Sequence, residues 1–328
     1  MNIVQLDGYA ANPGDIDWRP WHEIYAADGG RCVFRCYDRT PEDLVVERAR
    51  EADILIINKV PITEGVMRQL PRLRYVGVLA TGYNVVDVRA ARRRGIVVTN
   101  VPAYSTASVA QLAFAHLLHI VNDVAGHSRS VHEGEWGRCP DFTYTVTPQT
   151  ELAGLTLGIV GFGNTGRAVA SIAMAFGMRV VLAPPLRGGG RRRDVPEGVV
   201  QAGSLREFFG EADVVSLHCP LTDDTRHIIN EETIGWMKPT AIVLNTARGP
   251  LIDEGALAGA LNGGRLAAAG IDVMEEEPPA GGSPLLGARN CFVTPHIAWA
   301  TRAARSRLIN VAIENVRAFL LGRPQNVV

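Results

Sequence analysis

Gly158-Ile159-Val160-Gly161-Phe162-Gly163-Asn164-Thr165-Gly166-Arg167 leads an apolar run straight into a Gly-x-Gly-x-x-Gly turn and then into a helical pattern, Ala168 to Phe176. Each glycine has a separate task. Gly161 permits the tight turn, Gly163 lets backbone N–H groups approach phosphate oxygens, and Gly166 lets the new helix pack on its strand with its positive end facing the anion. Such a turn alone says little. Here the strand before it, Thr156 to Val160, and the strand after it, Arg179 to Leu182, supply the βαβ frame that a dinucleotide's pyrophosphate needs.

Toward the C-terminus, Asp213 to Leu217, Ala241 to Asn245, Arg265 to Asp272 and Cys291 to Thr294 read as further strands, making six of parallel type with the two above. That is the number in a full doubly wound dinucleotide domain. Toward the N-terminus, Ile3 to Leu6, Cys32 to Cys36, Asp53 to Asn58, Leu73 to Leu79 and Ile96 to Thr99 alternate with helical stretches, which marks a second parallel α/β region. One of those helices, Pro41 to Ala52, is expected to start from Thr40 as N-cap, with Pro41 in the first position and Glu42 and Asp43 in the first turn. A long helical segment from Thr106 through about Ser130 carries Val109, Leu112, Ala113, Leu117, Ile120 and Val121 on broadly one face and connects the two regions. The last helix, about Thr301 to Leu321, follows the second sheet and is free to return to the first. The predicted fold class is therefore α/β with two Rossmann-like domains: a doubly wound nucleotide domain, residues 101–296, inserted into a discontinuous domain of residues 1–100 and 297–328.

Composition narrows the function. With 328 residues, 47% hydrophobic and 20% charged, the chain has the makeup of a globular protein with room for two domains. A formal net charge of −1 provides no basic field for nucleic acid or an anionic membrane. The five cysteines are odd in number, scattered and without a Cys-x-x-Cys pair, which points to reduced thiols in a cytoplasmic protein rather than to disulfides or a metal site. The first residues lack a basic segment followed by a long apolar one, and Leu112 to Val121 is too short for a span and contains His116 and His119.

Three segments at predicted strand ends carry the chemistry: Asn245-Thr246-Ala247-Arg248-Gly249, Asp272 leading to Glu275-Glu276-Glu277-Pro278, and Thr294-Pro295-His296. In an open α/β sheet that edge binds ligands, so Arg248, Asp272, Glu277 and His296 are expected to converge. Reducing a 2-keto acid requires a hydride donor, a cation for the substrate carboxylate and an acid for the developing alkoxide. Arg248 offers a planar fork for carboxylate and keto oxygens. His296 offers a proton that can move in either direction, and Glu277 beside it favours the imidazolium and fixes the tautomer. Taken singly, each also fits a surface charge or a satisfied hydrogen-bonding residue; it is their joint placement that points to a site.

These motifs, in order, resemble the D-isomer-specific 2-hydroxyacid dehydrogenase family over essentially the whole chain. Within it the chain is most similar to the glycerate dehydrogenase, or hydroxypyruvate reductase, sub-group, on Leu6-Asp7-Gly8-Tyr9, Asn58-Lys59-Val60-Pro61, Leu79-Ala80-Thr81-Gly82-Tyr83-Asn84 and Ile297-Ala298-Trp299-Ala300-Thr301. The resemblance implies that Arg248, Glu277 and His296 are the catalytic residues and that the first domain is a flavodoxin-like substrate domain. It further implies backbone N–H groups from Ala80, Thr81 and Gly82 for the substrate carboxylate, with Lys59 as a nearby cation. Asp272 would accept from the nicotinamide carboxamide, and Thr246 and Ala247 would line the ring. Thr106 either meets a cofactor phosphate or caps the connector helix. Cys219 and Pro220 would flank the adenosine side, with His218 structural and Cys219 no nucleophile. Trp299, Tyr83 and Trp136 are candidates for shaping the substrate pocket, the last from a neighbouring subunit. A homodimer follows from the resemblance and from the long connector helix.

One departure bears on the cofactor. NAD enzymes usually end the second strand with Asp or Glu, but this chain has Pro184, followed by Arg187 and the run Arg191-Arg192-Arg193. Losing the acidic group removes repulsion of a 2′-phosphate and guanidinium groups attract one, which favours NADP over NAD, although the resembled sub-group often uses NADH. Two further readings stay open: a nucleotide-sensing corepressor-like binding protein, told apart by turnover of any 2-keto acid, and a formate dehydrogenase-like enzyme, which would be expected to carry Gln in place of Glu277.

Overall fold

The computed structural model describes residues 1–25, 29–186 and 195–328, which divide into two compact units: Met1–Ser105 with Trp299–Val328, and Thr106–Ala298.

In the first unit, β1 (Asn2–Gln5), β2 (Val33–Cys36), β3 (Ile54–Ile57), β4 (Tyr75–Val78) and β5 (Val97–Thr99) form one parallel sheet in the order β2-β1-β3-β4-β5. This is the flavodoxin-like order. Ile54-Leu55-Ile56-Ile57 and the whole of β4 are buried, as a sheet covered on both faces requires. One face packs Leu55, Ile57, Val76 and Val78 against Val45, Ala49, Met67 and Ala90. The other packs Ile3, Ile54, Ile56 and Tyr75 against Trp21 and against Leu308, Ile309, Ile313 and Val316 of the C-terminal helix, Arg302–Leu320. That helix starts at Thr301, whose hydroxyl accepts from Ala304 N, and the chain's end stays with the first strands: Asn315 Nδ2 donates to Asn100 O at 2.9 Å and Val328 N to Val98 O at 3.0 Å.

In the second unit, β6 (Thr156–Val160), β7 (Arg179–Leu182), β8 (Val199–Gln201), β9 (Val214–Leu217), β10 (Ile242–Asn245), β11 (Ala268–Ile271) and β12 (Cys291–Val293) form a parallel sheet in the order β12-β11-β10-β9-β6-β7-β8. The strand order reverses between β6 and β9, the switch point at which a doubly wound sheet opens a crevice.

Four local expectations are corrected. Among the described residues the second sheet has seven strands rather than six: the three-residue β8 pairs with β7, and its Val199-Val200-Gln201 is too short to show an alternation. The segment expected as one helix is two, Thr106–Asn122 and Val124–His132, parted by Asp123 at φ 40°, whose carboxylate accepts from Gly126 N. Pro41 to Ala52 is a 3-10 turn, Glu42–Leu44, followed by the short helix Val45–Ala49, and Thr40 caps neither. Its hydroxyl donates instead to Leu6 O at 2.6 Å, a tertiary bond that outcompetes the local one. The helix after the glycine turn begins at Asn164, four residues before the apolar pattern becomes visible at Ala168.

Candidate active site

At the end of β6, Gly161 turns with φ 95°, and a Cβ there would lie 2.5 Å from Cys219 N; at Gly166 it would lie 2.2 Å from Gly161 O. Packing therefore fixes these two positions. Gly163 has open space around it, is exposed, and is the N-cap of the helix Asn164–Ala175 without a side-chain cap bond. The helix's first N–H groups thus face outward from a turn that no side chain fills, the arrangement an anion requires. Cys219 and Pro220 follow β9 directly. Burial pushes the Cys219 thiol up to about 11, which leaves it unreactive. His218 is half-buried, its Nδ1 enclosed and its Nε2 2.8 Å from Ser216 Oγ, and burial pushes its pKa down to about 4. Pro184 is half-buried just past β7, and no acidic residue lies between Val181 and Leu186; Arg187 and Arg191 to Arg193 lie outside the described residues.

Register aligns the other strand ends. Asn245 of β10 is level with Ile271 of β11, and Ile271 with Val293 of β12, so Arg248, Asp272 and His296 each follow their strand by one to three residues at the same carboxyl edge. The Arg248 loop is held by Asn245, to which the sequence reading assigned no role of its own: buried, it donates from Nδ2 to Arg248 O at 2.8 Å and accepts from Ala247 N at 3.0 Å. Gly249 then packs so closely that a Cβ would lie 1.9 Å from Met274 O, which sets the loop against the segment leading to Glu277. The Arg248 side chain is exposed, donates to Ala247 O at 2.6 Å and forms no ion pair among the described residues. Thr246 is buried with its hydroxyl unpartnered.

Glu277 bridges two groups. Its Oε1 accepts from Met274 N at 3.0 Å, while its Oε2 lies 2.6 Å from His296 Nδ1. A carboxylate can only accept, so Nδ1 carries a proton and Nε2 is the nitrogen left to exchange one. His296 itself has φ 53°, an uncommon conformation for a residue with a side chain. It is held by His296 N donating to Asp272 O at 2.8 Å and to Thr294 O at 3.0 Å. The buried Asp272 carboxylate secures the rest of the turn, accepting from Ile297 N at 2.9 Å, Ala298 N at 2.8 Å and the Thr294 hydroxyl at 2.6 Å.

The remaining candidates belong to the first unit or start the second. Thr106 is the first residue of the connector helix. Lys59 is exposed, on a loop whose amides are gathered by Asp7: Asn58 N, Lys59 N and Val60 N donate to its carboxylate at 2.8, 2.6 and 3.1 Å. Ala80, Thr81 and Gly82 form a loop tied down by Val101 N donating to Ala80 O at 3.0 Å and Asn100 Nδ2 donating to Thr81 O at 2.7 Å, which leaves the Thr81 and Gly82 amides without a partner among the described residues. Trp299 lies edge-on to Tyr104, ring centroids 6.4 Å apart.

An open glycine turn, an uncapped helix N-terminus and an orphan Thr246 hydroxyl fit a bound nicotinamide dinucleotide. Comparison with known proteins agrees. Residues 114–298 match the D-isomer specific 2-hydroxyacid dehydrogenase, NAD binding domain, family. The chain is 45% identical to a hydroxypyruvate reductase of Blautia hydrogenotrophica, covering 100% of this chain and 99% of that one. It is 40% identical to a glycerate dehydrogenase of Methylorubrum extorquens, over 88% of this chain and 89% of the other. Among solved structures, an NADPH-dependent glyoxylate/hydroxypyruvate reductase from Sinorhizobium meliloti, crystallised with NADP and malonate, superposes with a TM-score of 0.81 at 26% identity, covering 100% of this chain and 96% of that one. Two parallel α/β sheets, a dinucleotide turn at the switch point and Arg, Glu and His at successive strand ends therefore identify the chain as a member of the D-isomer-specific 2-hydroxyacid dehydrogenase family, whose members are NAD(P)-dependent oxidoreductases.

Proposed function

We propose that the chain reduces a small 2-keto acid, hydroxypyruvate or glyoxylate, to the D-2-hydroxy acid. The observation that carries this is the Glu277–His296 pair, in which one carboxylate oxygen is anchored by Met274 N and the other holds Nδ1 at 2.6 Å. When bound, the nicotinamide supplies the hydride that adds to the carbonyl carbon. Arg248, free of competing carboxylates among the described residues, orients the substrate and draws electron density toward the keto oxygen. His296 delivers the proton from Nε2 to that oxygen, and Glu277 keeps Nδ1 protonated throughout, so that the proton leaves from one nitrogen only. In the oxidative direction the same neutral Nε2 accepts the proton.

Gly161, Gly163, Asn164, Thr165 and Gly166 hold the pyrophosphate in this proposal, with Thr106 meeting a phosphate and Cys219 and Pro220 along the adenosine side. Thr246, Ala247 and Asp272 receive the nicotinamide; Asp272 Oδ2 accepts from Ala298 N and keeps acceptor capacity for the carboxamide. Lys59 and the loop Ala80-Thr81-Gly82 serve the substrate carboxylate, and Trp299 limits the substrate's side chain. Pro184 in place of an acidic residue favours NADP over NAD. A homodimer is supported by the helix Val124–His132, which buries no residue, and by Phe142 and Trp136 after it, 89% and 52% exposed. Reduced thiols, all five being free, suit a cytoplasmic enzyme.

A steady-state panel of hydroxypyruvate, glyoxylate, pyruvate and phenylpyruvate against NADH and NADPH tests this. Highest kcat/KM is expected for hydroxypyruvate or glyoxylate with NADPH; absence of turnover for every pair rejects the enzymatic reading.

A further inference from the structure

The connector helix buries one ionisable side chain, His116, that hydride transfer as described does not use. The sheet is shaped to receive it. At Gly270 in β11 a Cβ would lie 2.6 Å from His116 Cβ, so the missing side chain lets the helix approach the strand. From there the imidazole reaches past β11 to the end of β12, with Nε2 3.0 Å from Thr294 Oγ1. The Thr294 hydroxyl has one proton, which goes to Asp272 Oδ1 at 2.6 Å. Toward His116 it is therefore an acceptor, and Nε2 carries a proton. Burial and the neighbouring His119 push the His116 pKa down, while Asp272 opposes them, so the ring acts as a neutral donor at neutral pH.

Asp272 lies at the centre of the turn that bears His296. Its carboxylate takes Ile297 N and Ala298 N, and its carbonyl takes His296 N. A hydroxyl free to rotate would hold that carboxylate only part of the time; one already engaged by His116 holds it continuously.

On the proposed catalytic role of His296, we infer that His116 is a positioning residue for the reaction: through the Thr294 hydroxyl it fixes the Asp272 carboxylate, and with it the left-handed turn that aims His296. The contact spans 178 positions between a helix and a strand end, and it is made by side chains, so it can be removed without cutting the backbone.

The test uses the full chain and four variants, His116→Leu, His116→Gln, Thr294→Val and the double variant His116→Leu/Thr294→Val. Hydroxypyruvate reduction is followed together with the ¹Hε1–¹³Cε1 signal of His296 in cofactor-free protein. His116→Leu is expected to lower kcat about tenfold with KM changed less than about twofold, the low end of what outer-shell partners contribute. The His296 signal should broaden in parallel. His116→Gln, which retains a neutral donor near Nε2, should restore both. The double variant should be no slower than Thr294→Val alone, because both changes act through one hydroxyl. If His116→Leu fails to fold, the nearly isosteric Thr294→Val carries the same kinetic and spectroscopic readouts. Overturning results are a kcat within about twofold of wild type in both His116→Leu and Thr294→Val, losses that multiply in the double variant, or failure of Gln to rescue. His296→Ala separates the two levels: if it retains full turnover the proposed function falls and this inference with it, whereas if it is inactive and His116→Leu is not, only this inference falls.

Discussion

Two loops, one in each unit, are held by the same device in different materials. In the first, Asp7, two residues beyond β1, accepts three backbone amides from Asn58, Lys59 and Val60 after β3. In the second, Asp272, immediately beyond β11, accepts two amides after β12 and the hydroxyl of Thr294, itself engaged by His116. Each carboxylate follows one strand and organises the loop after the strand hydrogen-bonded to it. The Asp7 clamp is all backbone, so any sequence that keeps the aspartate and the turn keeps it. The Asp272 clamp includes two side chains and can be altered at either.

The largest expected effect removes what the second loop presents. His296→Ala should lower kcat by about 10²- to 10⁴-fold while cofactor affinity, read by fluorescence titration, stays near wild type. Unchanged turnover would withdraw the residue's role. In the intact enzyme, reduction takes up a proton through His296 and oxidation releases one, so reduction should slow relative to oxidation as pH rises; identical profiles in both directions would contradict the assignment.

Exchanging each clamp carboxylate for an amide should then separate the two loops. Asp272→Asn turns an N–H₂ toward donors that need an acceptor, and kcat should fall by about 10-fold to 100-fold, the range for outer-shell partners. Asp7→Asn should act mainly on KM for the keto acid, since the loop it holds bears Lys59, and should cost about 1–3 kcal/mol of stability for the amides left unsatisfied. If both variants changed kcat and KM alike, the two clamps would not have distinct tasks.

A smaller effect distinguishes the units by pH. Burial raises the Asp7 pKa, so lowering pH through that value relieves the cost of a buried charge and does not weaken the first unit at this site. His218 in the second unit is depressed from 6.5 to about 4, so its unfolded form binds a proton first, and stability is lost as pH falls from about 6.5 to 4. Amide exchange, corrected for intrinsic rates, should lose protection in β6 and β9 before β1 and β3 as pH is lowered. Simultaneous loss in both sheets would refute this ordering. His218→Gln should reduce the difference.

Gly249→Ala tests the second loop's packing: the Cβ would meet the Met274 backbone and push the Arg248 loop away from it, so KM should rise and kcat fall together. A variant indistinguishable from wild type would show that the loop can yield.

Much of the fold was legible along the chain because parallel strands buried on both faces are continuous apolar runs, and the glycine turn is a local backbone requirement. Arg248, Glu277 and His296 stood out because they follow such runs, where an open α/β sheet gathers ligands. Asn245, Asp7 and Thr294 lay in the same segments, but nothing along the chain showed which groups they would bond. The bonds that make them matter are either made to backbone by a residue that looks like ordinary core or, at Asp7, reach across 51 to 53 positions.

The sequence alone determined that the chain is two parallel α/β regions with a dinucleotide turn in the second, since periodicity and glycine geometry act over a few residues. Only the tertiary structure decided that Asp123 divides the connector helix, that Thr40 bonds Leu6 instead of capping a helix, that β8 completes the second sheet and that His116 reaches Thr294. Each depends on which distant groups sheet register and close helix packing bring within hydrogen-bonding range, and free energy of that kind has no signature in the order of neighbouring residues.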